Sequence, residues 1–320
     1  MGNSASIDIS LSKVYKSWFA FRKGKRSSSE ILSFQYYLET NLQQLQADLE
    51  NGRYQHGTYQ HFTVHESKSR QIAVASVRDR VVHRLLYDYL ASIFDHHFVY
   101  DVWSCRPGKG LHKAIVRSEL FMQRYRGGWL WRSDIQKMFD SINQDTMKSL
   151  LYRKLGDSIA QRLLENVIDS YEHTPGSKQG LPIGNLTSQI LSNIYLNEFD
   201  RFVLHELKPL GYLRYGDDWL CFAQTEAEMR SIQARATSYL VGELGLTLSK
   251  KLNIVRPVYK GISFLGVDLW SNGVRITRDT RKRVRMNISP SGYPSYEALI
   301  RAFSNDTTLK RFYWDTIDLL

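Results

Sequence analysis

The amino-acid sequence predicts an α+β fold in which an antiparallel sheet is interleaved with helices. Short apolar runs flank tight polar turns. The clearest case is Gly211-Tyr212-Leu213-Arg214 and Trp219-Leu220-Cys221-Phe222-Ala223 on either side of Tyr215-Gly216-Asp217-Asp218, which reads as a β-hairpin. Longer stretches of helical period lie between such runs. No internal repeat, low-complexity block or long linker breaks the chain.

Ser27-Ser28-Ser29-Glu30 reads as a helix N-cap, and Ile31, Phe34, Leu38, Leu42, Leu45 and Leu49 predict one helix over 31–49, ended by Asn51-Gly52. A strand pair is expected over 58–64 and 71–76, across the polar turn Glu66-Ser67-Lys68-Ser69, followed by a helix over 78–94. Gly108-Lys109-Gly110 opens a helix through about Arg124, and Trp129–Ile135 alternates as a strand. Helices are expected over 144–155, 159–171 and 186–207, with the Gly/Pro-broken loop Gln179–Gly184 between the last two. After the hairpin come a helix over 226–244 and a strand pair over 264–270 and 274–277, joined through Ser271-Asn272-Gly273, where Asn-Gly favours a type I′ turn. A basic run, Arg281–Arg285, leads into a helical tail from Tyr296.

The 320 residues carry 43 Lys and Arg against 32 Asp and Glu, a formal charge of +11. That balance favours a polyanionic partner, nucleic acid first and an anionic membrane second. No apolar run reaches the roughly 18–20 residues that a membrane span needs, and the N-terminus opens no hydrophobic signal region. Gly2 with Ser6 matches the loose myristoylation pattern. Cys105 and Cys221 cannot form a disulfide framework, so a reducing cytoplasm is the expected setting. No Cys/His spacing suggests zinc.

Two adjacent carboxylates at a hairpin tip are costly unless a cation arrives. Paired Mg²⁺ ions about 3.5–4 Å apart, held by carboxylates from different strands, are the signature of phosphoryl-transfer sites. The turn therefore asks for a third carboxylate. Asp134 closes the strand Trp129-Leu130-Trp131-Arg132-Ser133 and is the leading choice; Asp140 is a rival that can equally cap the following helix. Phe139, five residues past Asp134, is a ring that could check a nucleotide sugar or a plain core aromatic. Gln179 to Gln189 is a glycine-bearing loop entering a helix, a geometry that admits phosphates. Lys68 and Arg70 could grip phosphate or form a solvated hairpin tip, and Lys250 could protonate a leaving pyrophosphate or sit on the surface.

In this order the pieces resemble a reverse transcriptase of the bacterial group II intron-like lineage. Asp134 to Ile142 looks like the first palm motif, Gln179 to Gln189 the nucleotide-and-template loop, Tyr215 to Asp218 the aspartate turn, Gly245 to Lys250 the motif that follows, and Gly261 to Gly266 the primer grip. Lys68 to Ile72 and Val77 to Val82 look like fingers motifs, and Ser104 to Gly110 matches an insertion motif of that lineage. Ile183-Gly184-Asn185-Leu186-Thr187-Ser188-Gln189, together with a chain that adds no maturase or endonuclease domain, most resembles the enzymes of diversity-generating retroelements. Antiviral and retron reverse transcriptases share most of these motifs; the Val-Thr-Gly thumb motif of retrons is absent.

The resemblance implies a right-hand polymerase: an N-terminal extension and fingers over 1–130, a palm over 131–270 interleaved with fingers, and a small helical thumb over 271–320. It implies RNA-directed DNA synthesis with two Mg²⁺, or Mn²⁺ in their place, held by Asp134, Asp217, Asp218 and the Ile135 carbonyl. Lys68, Arg70, Phe139, Gln179, Gly180, Ser188 and Lys250 would bind the nucleotide, and Phe264, Leu265 and Gly266 would grip the primer. The implied partners are a template RNA, the cDNA/RNA hybrid, dNTPs, a small basic accessory protein and a structured non-coding RNA, in the cytoplasm of a bacterium or encoded by a phage. A non-catalytic RNA-binding scaffold and a template-independent nucleotidyl transferase are the competing expectations.

Overall fold

The computed structural model describes residues 6–25, 27–65, 69–287, 293–304, 309–310 and 312–314. The chain divides into two compact units that alternate along the sequence. One holds Met1–Val99, Lys137–Arg201 and Tyr239–Thr247; the other holds Tyr100–Gln136, Phe202–Ser238 and Leu248–Leu320. Residues 271–320, expected as a thumb, fall in the second unit. The Gly2 acylation pattern and Lys68 lie outside the described residues.

The first helix, α1 (Leu11–Arg22), is absent from the sequence reading because its apolar residues are interleaved with lysines. Val14, Trp18 and Phe21 are nonetheless buried. The helix expected over 31–49 is two, α2 (Ser29–Tyr36) and α3 (Leu38–Glu50), broken at Tyr37. There Asn41 Nδ2 donates to the Phe34 carbonyl at 3.0 Å, occupying an oxygen that a continuous helix would use internally. The N-cap holds as expected: Ser28 accepts the Ile31 N–H at 3.3 Å.

Strands β1 (Gln60–His65) and β2 (Ser69–Val74) pair antiparallel from Gln60↔Val74 to His65↔Ser69. Helices α4 (Val77–Phe94) and α5 (Leu111–Arg124) and strand β3 (Trp129–Asp134) follow. Next come α6 (Met138–Ser141), α7 (Gln144–Tyr152), α8 (Ser158–Asp169) and α9 (Leu186–Phe202), which ends in a π turn over Val203–Leu207. The hairpin β4 (Gly211–Tyr215) and β5 (Asp218–Ala223) precedes α10 (Glu226–Leu244). The chain closes with β6 (Ile254–Pro257), β7 (Ile262–Phe264), β8 (Val267–Trp270), β9 (Gly273–Ile276), α11 (Arg278–Asn287) and α12 (Tyr293–Phe303). No helix among the described residues is long and apolar enough to cross a membrane.

The second unit carries a four-stranded sheet ordered β4-β5-β3-β6 and a three-stranded sheet β7-β8-β9, both antiparallel. Past Asp218, strand β5 is apolar and buried on both faces, which is why it sits inside the sheet. Leu130, Leu213, Leu220 and Phe222 meet Ile115, Phe121 and Met122 of α5 in the core. Strand β6 was not foreseen, because Ile254-Val255-Arg256-Pro257 is short and ends in proline.

One expected strand, 264–270, is instead a hairpin. It turns at Leu265-Gly266, where both residues have positive φ (51° and 83°), the requirement of a type I′ turn. The Asn272-Gly273 site does not adopt that geometry. Trp270 pairs with Gly273, so Ser271 and Asn272 form the loop, and neither has positive φ.

In the first unit the loop before α9 is tied to β2. Ala73 donates to the Ile183 carbonyl at 3.0 Å, and Asn185 receives the Ala75 N–H and donates to the Ala73 carbonyl. Between them Gly184 has φ +113°, and a Cβ there would lie 2.8 Å from Ile72 Cγ2. Gly184→Ala is therefore expected to cost about 2–4 kcal/mol of stability from combined strain and overpacking, measured by urea denaturation.

On α4, His83 is buried between two partners. Its Nδ1 meets Thr187 Oγ1 at 2.5 Å and its Nε2 meets His56 Nε2 at 3.0 Å. Burial, then the neighbouring His56, push the His83 imidazole down to about 3. Folded His83 thus stays neutral where the unfolded chain's histidine takes up a proton. Its contribution is fully present above about pH 6.5 and declines by about 1.4 kcal/mol per pH unit as pH falls toward 3. Urea midpoints taken between pH 7 and 5 are expected to fall less steeply for His83→Gln than for the parent chain.

Candidate active site

The β3–β5 register sets Asp134 directly opposite Asp218. Directly opposed residues share a sheet face, and Arg132, two residues back, shares it too. Beyond the last pair the Ile135 N–H donates to the Asp217 carbonyl at 3.3 Å, and the Ser249 N–H donates to the Asp134 carbonyl at 2.7 Å. Asp134, Ile135, Asp217 and the residue before Lys250 therefore meet at one end of the four-stranded sheet. Lys250 itself is exposed there.

The metal set expected from the sequence, Asp134, Asp217, Asp218 and the Ile135 carbonyl, lies at the end of β3 and at the β4–β5 turn. Among the described residues no three Asp, Glu, His or Cys side chains gather closely enough to hold a metal ion by themselves. Arg132 engages one of the three carboxylates. Its Nε and Nη2 reach Asp218 Oδ1 and Oδ2 at 3.0 and 2.6 Å, so a guanidinium already spans that carboxylate. The Asp134 and Asp217 carboxylates and the Ile135 carbonyl are all oxygen donors. That is the donor class Mg²⁺ takes, and Mg²⁺ commonly completes its shell with waters and substrate phosphates.

The aspartate turn is braced by Ser104 of the insertion motif and by Arg214, which the sequence reading did not single out. Gly216 turns the chain with φ +66°. Its N–H donates to Ser104 Oγ at 2.8 Å, and its carbonyl accepts Arg214 Nη1 at 2.7 Å. Arg214 is fully buried on β4. The segment carrying Ser104 lies parallel to that strand: Arg214 donates to the Asp101 carbonyl, and Trp103 donates to the Arg214 carbonyl, both at 2.9 Å. The insertion motif is thus a clasp on the turn, and Asp101 is in turn gripped by Arg117 through two bonds of 2.8 and 2.9 Å.

The expected primer-grip residues form the β7–β8 hairpin. Phe264 is buried, while Leu265 and Gly266 make the turn. The Gly266 carbonyl accepts the Thr277 N–H, Thr277 Oγ1 and Thr280 Oγ1 at 2.9–3.1 Å, which fixes the turn against the start of α11.

The remaining residues expected at the nucleotide belong to the first unit. Phe139 is half-buried on α6, and its carbonyl accepts the Leu181 N–H at 2.8 Å, while the Gly180 N–H donates to the Ile142 carbonyl at 2.9 Å. Gly180 has φ +106° and no room for a Cβ beside His173. Gln144, unmarked in the sequence reading, donates through Nε2 to the carbonyls of Ile168, Tyr171 and Gly180. Arg70 and Gln179 are exposed. Ser188 is buried and its hydroxyl donates to the Pro182 carbonyl at 2.7 Å, so it acts on the shape of the loop. Asp140, the rival for Asp134, faces His173 Nδ1 at 3.3 Å.

Removing the Ser104 hydroxyl leaves the Gly216 amide without its acceptor. Ser104→Ala is expected to lower stability by about 1 kcal/mol and to speed hydrogen exchange at the Gly216 amide, read together by denaturation and amide exchange.

Residues 60–269 match the family model described as reverse transcriptase (RNA-dependent DNA polymerase). The chain is 27% identical over 271 residues to protein YkfC of Escherichia coli K12, covering 72% of this chain and 71% of that protein. It is 30% identical over 262 residues to an uncharacterized 91 kDa protein in a cob intron of Schizosaccharomyces pombe, covering 62% of this chain but 32% of that one. It is 27% identical over 144 residues to the group II intron-encoded protein LtrA of Lactococcus lactis subsp. cremoris, covering 43% of this chain and 23% of LtrA. The chain thus spans about a third or less of those two intron proteins. Among solved structures, apo telomerase from Candida tropicalis aligns with a TM-score of 0.53 at 11% identity, over 83% of this chain and 57% of that one. That likeness establishes the fold, a right-hand polymerase of the α+β class. With two thirds of its length matching the family model, the chain belongs to the reverse transcriptase (RNA-dependent DNA polymerase) family.

Proposed function

We propose that the chain copies a template RNA into DNA by nucleotidyl transfer at the end of the β3–β5 strand pair. The observation that carries this reading is the register Asp134↔Asp218, with Asp217 on the adjoining turn, in a chain of this family. Two Mg²⁺ ions, or Mn²⁺ in their place, would supply Lewis-acid charge at the attacking and leaving oxygens. Asp134 and Asp217, with the Ile135 carbonyl, would hold them, while Asp218 remains with Arg132. Lys250 would give a proton to the departing pyrophosphate. In the first unit Arg70, with Lys68, would grip the triphosphate, Phe139 would exclude a 2′-hydroxyl, and Gln179 and Gly180 would hold the base and template. Phe264, Leu265 and Gly266 would seat the primer end. The +11 charge would track the cDNA/RNA hybrid, with binding that weakens steeply as salt rises.

The finer reading is mutagenic copying of a diversity-generating retroelement's RNA, assisted by a small basic protein and a structured RNA. It rests on Ile183-Gly184-Asn185-Leu186-Thr187-Ser188-Gln189. The names of two relatives, each tied to an intron, are consistent with work on a mobile element's transcript.

Asp217→Asn is expected to abolish primer extension on an RNA template, a loss of at least about a thousandfold, while RNA binding by filter retention survives. Extension near the parent rate would sink the assignment. Sequencing the cDNA made from a defined RNA tests the finer reading, which expects errors concentrated at template adenines.

A further inference from the structure

We propose that Arg132 is a positioning residue that locks the β7–β8 hairpin to the aspartate turn and so sets where the primer end sits. This inference rests on the polymerase reading above.

The guanidinium of Arg132 is used on three sides. One edge forks onto both oxygens of Asp218, at 3.0 and 2.6 Å. Nη1 donates to the Ser263 carbonyl in the middle of β7. Its Cζ lies 5.6 Å from the centroid of the Phe264 ring, within cation–π range. The Arg132 side chain is 12% exposed and that of Asp218 16%, so water screens the pair poorly.

Among the described residues the two elements it joins have no strand pairing between them: strands β3 and β5 lie in the four-stranded sheet, and β7 is paired only with β8. Ladder hydrogen bonds therefore do not fix the distance from the Leu265-Gly266 turn to the carboxylates. Side chains must do so. Arg256 Nη1 holds the Gly261 carbonyl at 3.1 Å, at the entry to β7. Arg132 acts further along, next to the turn itself.

A planar fork is required for this. Lysine offers one point charge and could satisfy either Asp218 or the Ser263 carbonyl, but it cannot reproduce the bidentate fork along with both other contacts. The pairing also assigns Asp218 a role distinct from that of its neighbour Asp217: it anchors Arg132.

The test compares the parent chain with Arg132→Lys, Arg132→Gln and Phe264→Leu, each checked for folding by thermal denaturation. The affinity for a DNA primer annealed to an RNA template is read by fluorescence anisotropy without divalent ions. Steady-state extension gives separate KM values for primer–template and for dNTP. Both Arg132 variants are expected to raise the primer–template Kd and KM about tenfold, the scale of one charge-assisted hydrogen bond, with the dNTP KM within about twofold. Phe264→Leu, which removes the ring under the guanidinium, is expected to shift the same two quantities in the same direction by a smaller factor. An unchanged primer–template Kd in folded Arg132 variants, or an equal rise in both KM values, overturns the proposal. If the Arg132 variants fail to fold, an unchanged Kd in Phe264→Leu overturns it. Failure of the parent chain to extend any primer on RNA would instead count against the polymerase reading itself.

Discussion

Repulsion between like charges is the constraint around which the second unit is arranged. Two unit charges 5 Å apart repel by about 3 kcal/mol at an effective dielectric constant near 20, and the strand end here carries Asp134, Asp217 and Asp218. The chain offsets this from within. Arg132 neutralises Asp218 through a two-point contact, and the buried Arg214 places a second positive charge just behind the turn, on the Gly216 carbonyl. A partly buried pair of this kind adds little net stability compared with well-packed apolar side chains, yet removing one member typically costs about 3–5 kcal/mol. Its value is therefore better sought in geometry than in stability.

The backbone supplies the rest of that geometry. Gly216 is held through both its N–H and its carbonyl, by Ser104 and Arg214, and the following carbonyl, that of Asp217, is held by Ile135. Asp217 thus stands between two pinned peptides, with little freedom left except in its own side chain. A site preorganised in this way does not have to reorder itself when charge arrives.

Much of this was legible in the chain and some was not, for reasons that can be named. The Tyr215–Asp218 hairpin, the Ser28 cap, β3 and the Gln179–Gln189 loop rest on local pattern, and each lies where that pattern placed it. The break at Tyr37 depends on an asparagine reaching back seven residues to Phe34, which helical periodicity does not register. The type I′ turn sits at Leu265-Gly266 rather than at the better-matched Asn272-Gly273. Leu265 accepts an unfavourable positive φ there, with the Gly266 carbonyl bound to Thr277 and Thr280. Arg132 and Arg214 gave no local signal at all. Their meaning comes from partners, and Arg132's lie 86 and 131 residues away.

The same separation between letters and roles governs the loop of the first unit. Its most recognisable polar residues spend their hydrogen bonds on the protein: Ser188 on Pro182, Asn185 on Ala73 and Ala75, and the supporting Gln144 on three carbonyls. Buried groups committed in this way have little capacity left to read a ligand. The motif is therefore chiefly a specification of backbone shape, with Gly180 and Gly184 occupying conformations closed to other residues. Gln179 and Arg70, by contrast, are left exposed. The residues that hold the loop in place are therefore not the ones it leaves exposed.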